Sequence, residues 1–310
     1  MRYHDTPGIT YRLSVISDLL ARVQASGEYH PGSPLRRASR IRCTQGSLAI
    51  EGGPFQPAQV ADVINGLPVP YTLRQLNEVR NAYRVYEHIP ALNPFSVADL
   101  RQAHQLMLAD VVDEAGKFRG GNVSLSNGNK TNNLAIPPRL IILQLKKLFD
   151  RLKIATLHPL VRAPIMHFGI AAIHPFVHGN RRLGRLWQTL VLARWNEILA
   201  WTPVEIHLYH HRLQYNHLLA GAREESDPTD FVDFILEMIT DSLYDLPLRR
   251  VTGMSINLLA LLNDDEREFI RAIINHIEDN DGISSTRAQI LTGQTGDIVR
   301  THLRHLIKRG

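Results

Sequence analysis

The sequence predicts an all-α fold, and three observations carry that prediction. Apolar residues recur at three- and four-residue intervals along most of the 310-residue chain, the spacing that gathers them on one face of a helix. No run alternates apolar and polar residues as a half-buried strand would. Only the stretch 118–138 breaks the helical period, and it reads as a single β-hairpin. The chain is longer than one average domain, and its 44% hydrophobic content is ample for a sizeable core.

In chain order, Leu13, Ile16, Leu20 and Val23 mark a first helix. Arg36, Arg37, Arg40 and Arg42 follow as the densest basic cluster, readable as a solvated arginine face or as a contact for phosphates or an acidic partner. Ser47 and Glu51 are four apart, so on a helix they share a face, and Gly52 is a natural stop. Leu76, Val79, Tyr83 and Tyr86 mark another helix, and 100–108 a further one. Gly116-Lys117-Phe118-Arg119 then leads through Val123-Ser124-Leu125 to a polar tip, 126–133, and Leu134-Ala135-Ile136-Pro137-Pro138 closes the hairpin.

Helices are predicted over 140–152, 186–198 and 231–243. The segment from His158 to Ile173 is also helical, but Pro164 inside it costs about 3 kcal/mol in a helix interior, so a late start or a kink is expected. His167, alone on an apolar face, is expected to be a packed or hydrogen-bonded core histidine. Residues 255–310 carry three helical segments. The turn Thr292-Gly293 and a basic third helix with Arg300, Arg304, Lys308 and Arg309 suggest a helix-turn-helix. No wing hairpin follows it, so a packing or protein-binding role is expected ahead of DNA binding.

The formal charge of +5 and a pI near 9.4 favour anionic partners without naming one. A single cysteine, Cys43, excludes an internal disulfide and a four-cysteine zinc site, and suits a reducing cytoplasm. No apolar run approaches the roughly 18 residues needed to span a bilayer, and the first residues have no signal core.

The densest chemistry lies in His174-Pro175-Phe176-Val177-His178-Gly179-Asn180-Arg181-Arg182-Leu183-Gly184-Arg185. An imidazole can take a proton at neutral pH. Gly179-Asn180 ahead of a helix presents free backbone N–H groups at the positive end of its dipole. Arg182 and Arg185, three apart, share a helix face and can grip phosphates.

This segment resembles the Fic family signature, His-x-Phe-x-(Asp/Glu)-Gly-Asn-Gly-Arg-x-x-Arg. By that resemblance His174 is the base, Phe176 a core anchor, Gly179 and Asn180 the anion hole, and Arg182 and Arg185 the phosphate-binding arginines. Two positions depart: His178 replaces the acidic metal ligand, and Arg181 the second glycine. Ser47-Leu48-Ala49-Ile50-Glu51-Gly52 resembles the family's inhibitory helix, with Ser47 and Glu51 as its regulatory residues. The hairpin resembles the family's flap, and His211-Arg212-Leu213-Gln214-Tyr215 its helix near the adenine pocket. Tyr215 reads either as a stacking partner for the base or as a buried structural tyrosine.

The resemblance implies an N-terminal helical region, 1–95, with the inhibitory helix at about 40–52. A Fic core follows over 96–250 with the flap at 118–138, and a winged-helix-like segment over 255–310. It implies a protein adenylyltransferase that uses ATP, with Mg²⁺ as the metal, a target protein paired by strand addition at 123–136, and a self-modifying homo-oligomer. His178 is a poor Mg²⁺ ligand, because that ion prefers oxygen. Two alternatives stay open: another phosphate transfer or AMP removal on the same fold, and a catalytically weak nucleotide-binding regulator.

Overall fold

The computed structural model describes residues 3–27, 29, 34–123, 135–220, 222, 226–246, 269, 273 and 284–308. Among these there are helices and turns but no β-strand. The polar hairpin tip, 126–133, lies outside the described residues, as does most of the first C-terminal segment, 255–283. Of the expected hairpin, the described flanks share one main-chain bond, Ala135 N–H donating to Val123 C=O at 3.0 Å, and neither flank is a strand.

Helices α1 (Pro7–Ser26), α2 (Pro34–Ile50), α3 (Pro57–Ile64), α4 (Leu73–Glu87) and α5 (Val97–Leu108) precede the hairpin. After it come α6 (Ile141–Ile154), α7 (Pro159–Ile173), α8 (Asn180–Trp195), α9 (Val204–His210), α10 (Arg212–Ala220) and α11 (Thr229–Tyr244), then α12 (Ser285–Thr292) and α13 (Gly296–Lys308). α7 is buried almost all round, from Leu160 to Ile173, which makes it the central rod of the main core. It packs most extensively on α8, while α2 lies against α9 and α1 against α11. A smaller apolar cluster of Leu48, Phe55, Val60, Val63, Val79 and Ala82 joins α2, α3 and α4.

Pro164 does not delay α7. The helix begins at Pro159, where the His158 ring accepts the Leu160 N–H at 3.2 Å, and continues through Pro164. His167 is fully buried, as its apolar helix face predicts. Gly184 of α8 lies so close to it that an added Cβ would sit 2.4 Å from His167 Cδ2. The helix pair around the signature segment therefore depends on this glycine for its approach.

The arginine cluster is split: Arg37 is exposed and Arg42 half-buried, whereas Arg36 and Arg40 are packed inward. Arg36 and Arg40 are only 9% and 3% exposed, and both stack over Trp201, at 5.0 and 4.4 Å from its ring centre. Arg36 also donates to Tyr29 C=O and pairs with Glu197, so these stems and heads are packing elements. In the C-terminal pair, Gly293 takes a left-handed φ of 68° and ends α12. Arg300 of α13 turns inward to Glu237 and Asp241 of α11, and Arg304 lies over Tyr11.

Candidate functional site

The site is built where α7 ends and α8 begins. His174 caps α7 in the left-handed region, φ 49° and ψ 62°, which swings the chain out of the helix and leaves its ring half-buried. The loop after it is locked by one side chain: Asn180 Oδ1 accepts the Phe176 N–H at 2.9 Å, and its Nδ2 donates to Phe176 C=O at 2.8 Å. The Asn180 side-chain amide is thus committed to the loop, which leaves only its backbone N–H for a ligand. Gly179, at φ 75°, precedes α8 in a conformation open to glycine, and an added Cβ would meet Leu108 Cδ1 at 2.8 Å. The N–H groups of the first turn of α8 have no acceptor within their own helix.

Two residues that the sequence did not mark hold this loop. His104 of α5 stacks on Phe176, rings 3.7 Å apart and nearly parallel. Its Nδ1 accepts the Gly116 N–H at 2.8 Å, so Nε2 carries the proton and donates to His178 C=O at 3.0 Å. Burial lowers its pKa to about 4, consistent with that neutral form. Arg119, 3% exposed, donates to His174 C=O at 2.7 Å, to Gly121 C=O at 3.0 Å and to Ile136 C=O. It joins both arms of the hairpin base to the signature loop.

Burial, with Arg119 and Arg181 nearby, lowers the His174 pKa to about 4. The ring is therefore neutral at pH 7 and able to accept a proton. Arg181 reaches away to α10, donating to Asn216 Oδ1 at 2.7 Å. Arg182 lines a cavity of about 210 Å³ together with Glu51, Arg74, Glu78, His178 and Gly179. Its Nε and Nη1 are buried without a hydrogen-bond partner.

Arg185 is placed differently. It is 1% exposed, with Nε donating to Ser47 Oγ at 3.3 Å, Nη2 to Ser47 C=O and to Glu51 Oε1 at 3.0 Å each, and Nη1 to Tyr215 OH at 3.2 Å. Glu51 sits one residue past the end of α2, with Gly52 left-handed after it at φ 86°. Burial opposes the Glu51 charge, but Arg185, Arg182 and Arg181 outweigh it and hold the carboxyl below its usual range. Tyr215 is fully buried, and its hydroxyl also meets His167 Nε2 at 3.0 Å while His167 Nδ1 meets Gln188 Oε1 at 2.9 Å. The Tyr215 hydroxyl is thus engaged by Arg185 and His167, and Tyr215 is not among the residues that line this cavity.

His178 presents an exposed side chain at the cavity. Among the described residues no group of three or more His, Cys, Asp or Glu is placed to hold a metal ion, and the Glu51 carboxylate is committed to Arg185. Mg²⁺ is usually held by one or two carboxylates together with substrate phosphates; His178 offers no such oxygen, and the cavity's other carboxylate is Glu78 on α4. No helix among the described residues is long and apolar enough to cross a membrane.

Comparison with known proteins agrees with this geometry. The family model of the Fic/DOC family matches residues 94–192. Protein adenylyltransferase Fic of Drosophila erecta is 27% identical over 238 residues, covering 72% of this chain and 45% of that protein. Protein adenylyltransferase fic-1 of Caenorhabditis elegans is 29% identical over 161 residues, or 48% of this chain and 30% of that protein. The chain therefore spans less than half the length of these curated relatives. The crystal structure of a Fic family protein from Desulfovibrio desulfuricans superposes with a TM-score of 0.73 at 33% identity, over 96% of this chain and 88% of that one. With a signature loop, an arginine pair and a fold shared along almost its whole length, the chain belongs to the Fic family.

Proposed function

We propose that the chain is a protein adenylyltransferase, moving the AMP part of ATP to a protein hydroxyl. The observation that carries this reading is a neutral His174 at the end of α7, joined by the signature loop to the N-terminus of α8, whose Arg182 lines a cavity and has two unpaired donors. His174 takes the proton of a target Ser, Thr or Tyr hydroxyl, and that oxygen attacks the α-phosphorus in line. The bond from the α-phosphorus to the bridging oxygen breaks, and pyrophosphate leaves. Backbone N–H groups at Gly179 and Asn180 stabilise the charge that develops on the α-phosphate, and Arg182 takes outer phosphates. A base near pKa 4 is weak, but phosphates arriving beside Arg181 offset one of the charges that depress it. The target segment pairs along the hairpin arms at 123–136.

In this reading Glu51 restrains the enzyme. Its carboxylate holds Arg185 at 3.0 Å and occupies the guanidinium that a phosphate oxygen would otherwise use. No step is assigned to a divalent ion, since His178 offers it no oxygen.

ATP labelled at the α- or the γ-phosphate tests the reading on the full chain and its Glu51→Gly variant. Protein-bound α-label without γ-label is expected, and His174→Ala should remove it, a loss of about 10²–10⁴-fold for a general base. Protein-bound γ-label would make the chain a kinase, and binding without transfer in Glu51→Gly would make it a nucleotide-binding regulator.

A further inference from the structure

The cavity beside His178 is walled by charge that the signature segment does not supply. Arg74 and Glu78, four residues apart on one face of α4, line it together with Gly179 and with Arg182 of α8. Of the charged groups in this wall, Glu51 is already bound to Arg185. That leaves two guanidinium groups, Arg74 and Arg182, against the single carboxylate of Glu78, with His178 adding a ring nitrogen. Arg182 brings two buried donors with no partner, costly when left unpaired, and a ligand reaches them once the guanidinium turns toward the cavity. The cavity, at about 210 Å³, is several times the roughly 30 Å³ that one water occupies in the liquid. Such a wall suits an anion rich in oxygen acceptors and does not suit a hard cation.

Resting on the nucleotide reading above, we infer that Arg74 joins Arg182 in a clamp for the outer phosphates of the nucleotide. The clamp balances phosphate charge with guanidinium groups from two helices, so polyphosphate binds without a divalent ion. Glu78 opposes the ligand's charge and holds the affinity below what two arginines alone would give. Arg74 is exposed near the start of α4, so its truncation leaves the core intact.

The test is calorimetric titration of the full chain in excess chelator with ATP, sodium tripolyphosphate and adenosine, in the parent and Glu51→Gly backgrounds. ATP and tripolyphosphate should bind without metal. Arg74→Ala should weaken both by about tenfold or more, the loss expected for one charge-assisted hydrogen bond, and should leave adenosine unchanged. Glu78→Gln should tighten both severalfold. Parent-like affinity for ATP and tripolyphosphate in Arg74→Ala, or ATP binding that requires Mg²⁺, would overturn the clamp while leaving the nucleotide reading intact. Absence of ATP binding in both backgrounds, with and without Mg²⁺, would overturn the nucleotide reading and the clamp with it.

Discussion

Arg182 and Arg185 leave the same helix three residues apart, and the molecule treats them in opposite ways. Arg185 is sealed among Ser47, Glu51 and Tyr215, with every nitrogen of its guanidinium in a hydrogen bond. Arg182 lines the cavity, with Nε and Nη1 unpartnered. Spacing alone assigns both to phosphate. Their surroundings assign Arg185, in this state, to joining α2, α8 and α10, and leave only Arg182 ready for a ligand. The same residue type in one short motif is thus fully bonded at one position and unpaired at a cavity at the other.

The largest effect should come from breaking each arginine in turn. Arg185→Ala removes a buried guanidinium bonded to Ser47, Glu51 and Tyr215; breaking a fully buried pair costs about 3–5 kcal/mol, and the partial exposure of Glu51 puts the loss below that while still lowering the melting temperature. Arg182→Ala removes donors that bond nothing in the folded chain, so the melting temperature should stay near the parent's while ATP affinity falls. Equal melting temperatures for the two variants would contradict the division drawn here.

The next effect concerns what holds Arg185. Glu51→Gly should raise self-labelling with ATP by about tenfold, the order expected when one charge-assisted contact stops competing with a phosphate. Unchanged labelling under matched ATP and metal would show that Glu51 does not restrain the site. A smaller gain is expected on the open side: His178→Asp supplies an oxygen ligand and should raise Mg²⁺-supported transfer a few-fold, most clearly with Glu51→Gly. Titrating Mg²⁺ against both forms checks this, and identical metal dependence would refute it.

The smallest expected effect is on stability against pH. Burial lowers the His167 pKa to about 3, whereas in the unfolded chain it returns to about 6.5. Below pH about 6.5 the unfolded chain therefore binds a proton that the folded chain refuses. Stability is full above that pH and falls as the pH drops toward 3. His167→Gln, which removes this titration, should flatten the decline in melting temperature between pH 7 and 5. A slope identical to the parent's would show that His167 does not contribute.

What could be read from the sequence follows from distance along the chain. The helices over 140–152 and 231–243 match α6 and α11 within two residues at each end, because their apolar periods are local. Ser47 and Glu51 stand out only through the resemblance to the family's inhibitory helix; their four-residue spacing places them on one face and assigns no role. His104 was missed because it acts on His178, 74 positions away. Its only local trace is a histidine on the apolar face of α5, between Leu100 and Leu108, where a core residue belongs. Arg119 was noticed only as part of the hairpin lead-in, since its acceptors, His174 and Ile136, come from separate segments. The inward packing of Arg36 and Arg40 is not legible locally, because nothing near them in sequence announces Trp201.

Gly46 of α2 has a mechanical consequence for the restraint. An added Cβ there would lie 2.7 Å from the backbone carbon of Glu205, and Glu205 is itself fixed by the Tyr86 hydroxyl at 2.5 Å. The middle of α2 is thus pressed backbone to backbone against α9 and has no play in that direction. A lever needs a free arm, and the only free arm here is short: it starts after Ile50, where the helix ends and the side chain of Glu51, about a third of it in solvent, begins. Release of Arg185 then requires only that one carboxylate rotate into solvent while the helix behind it stays still.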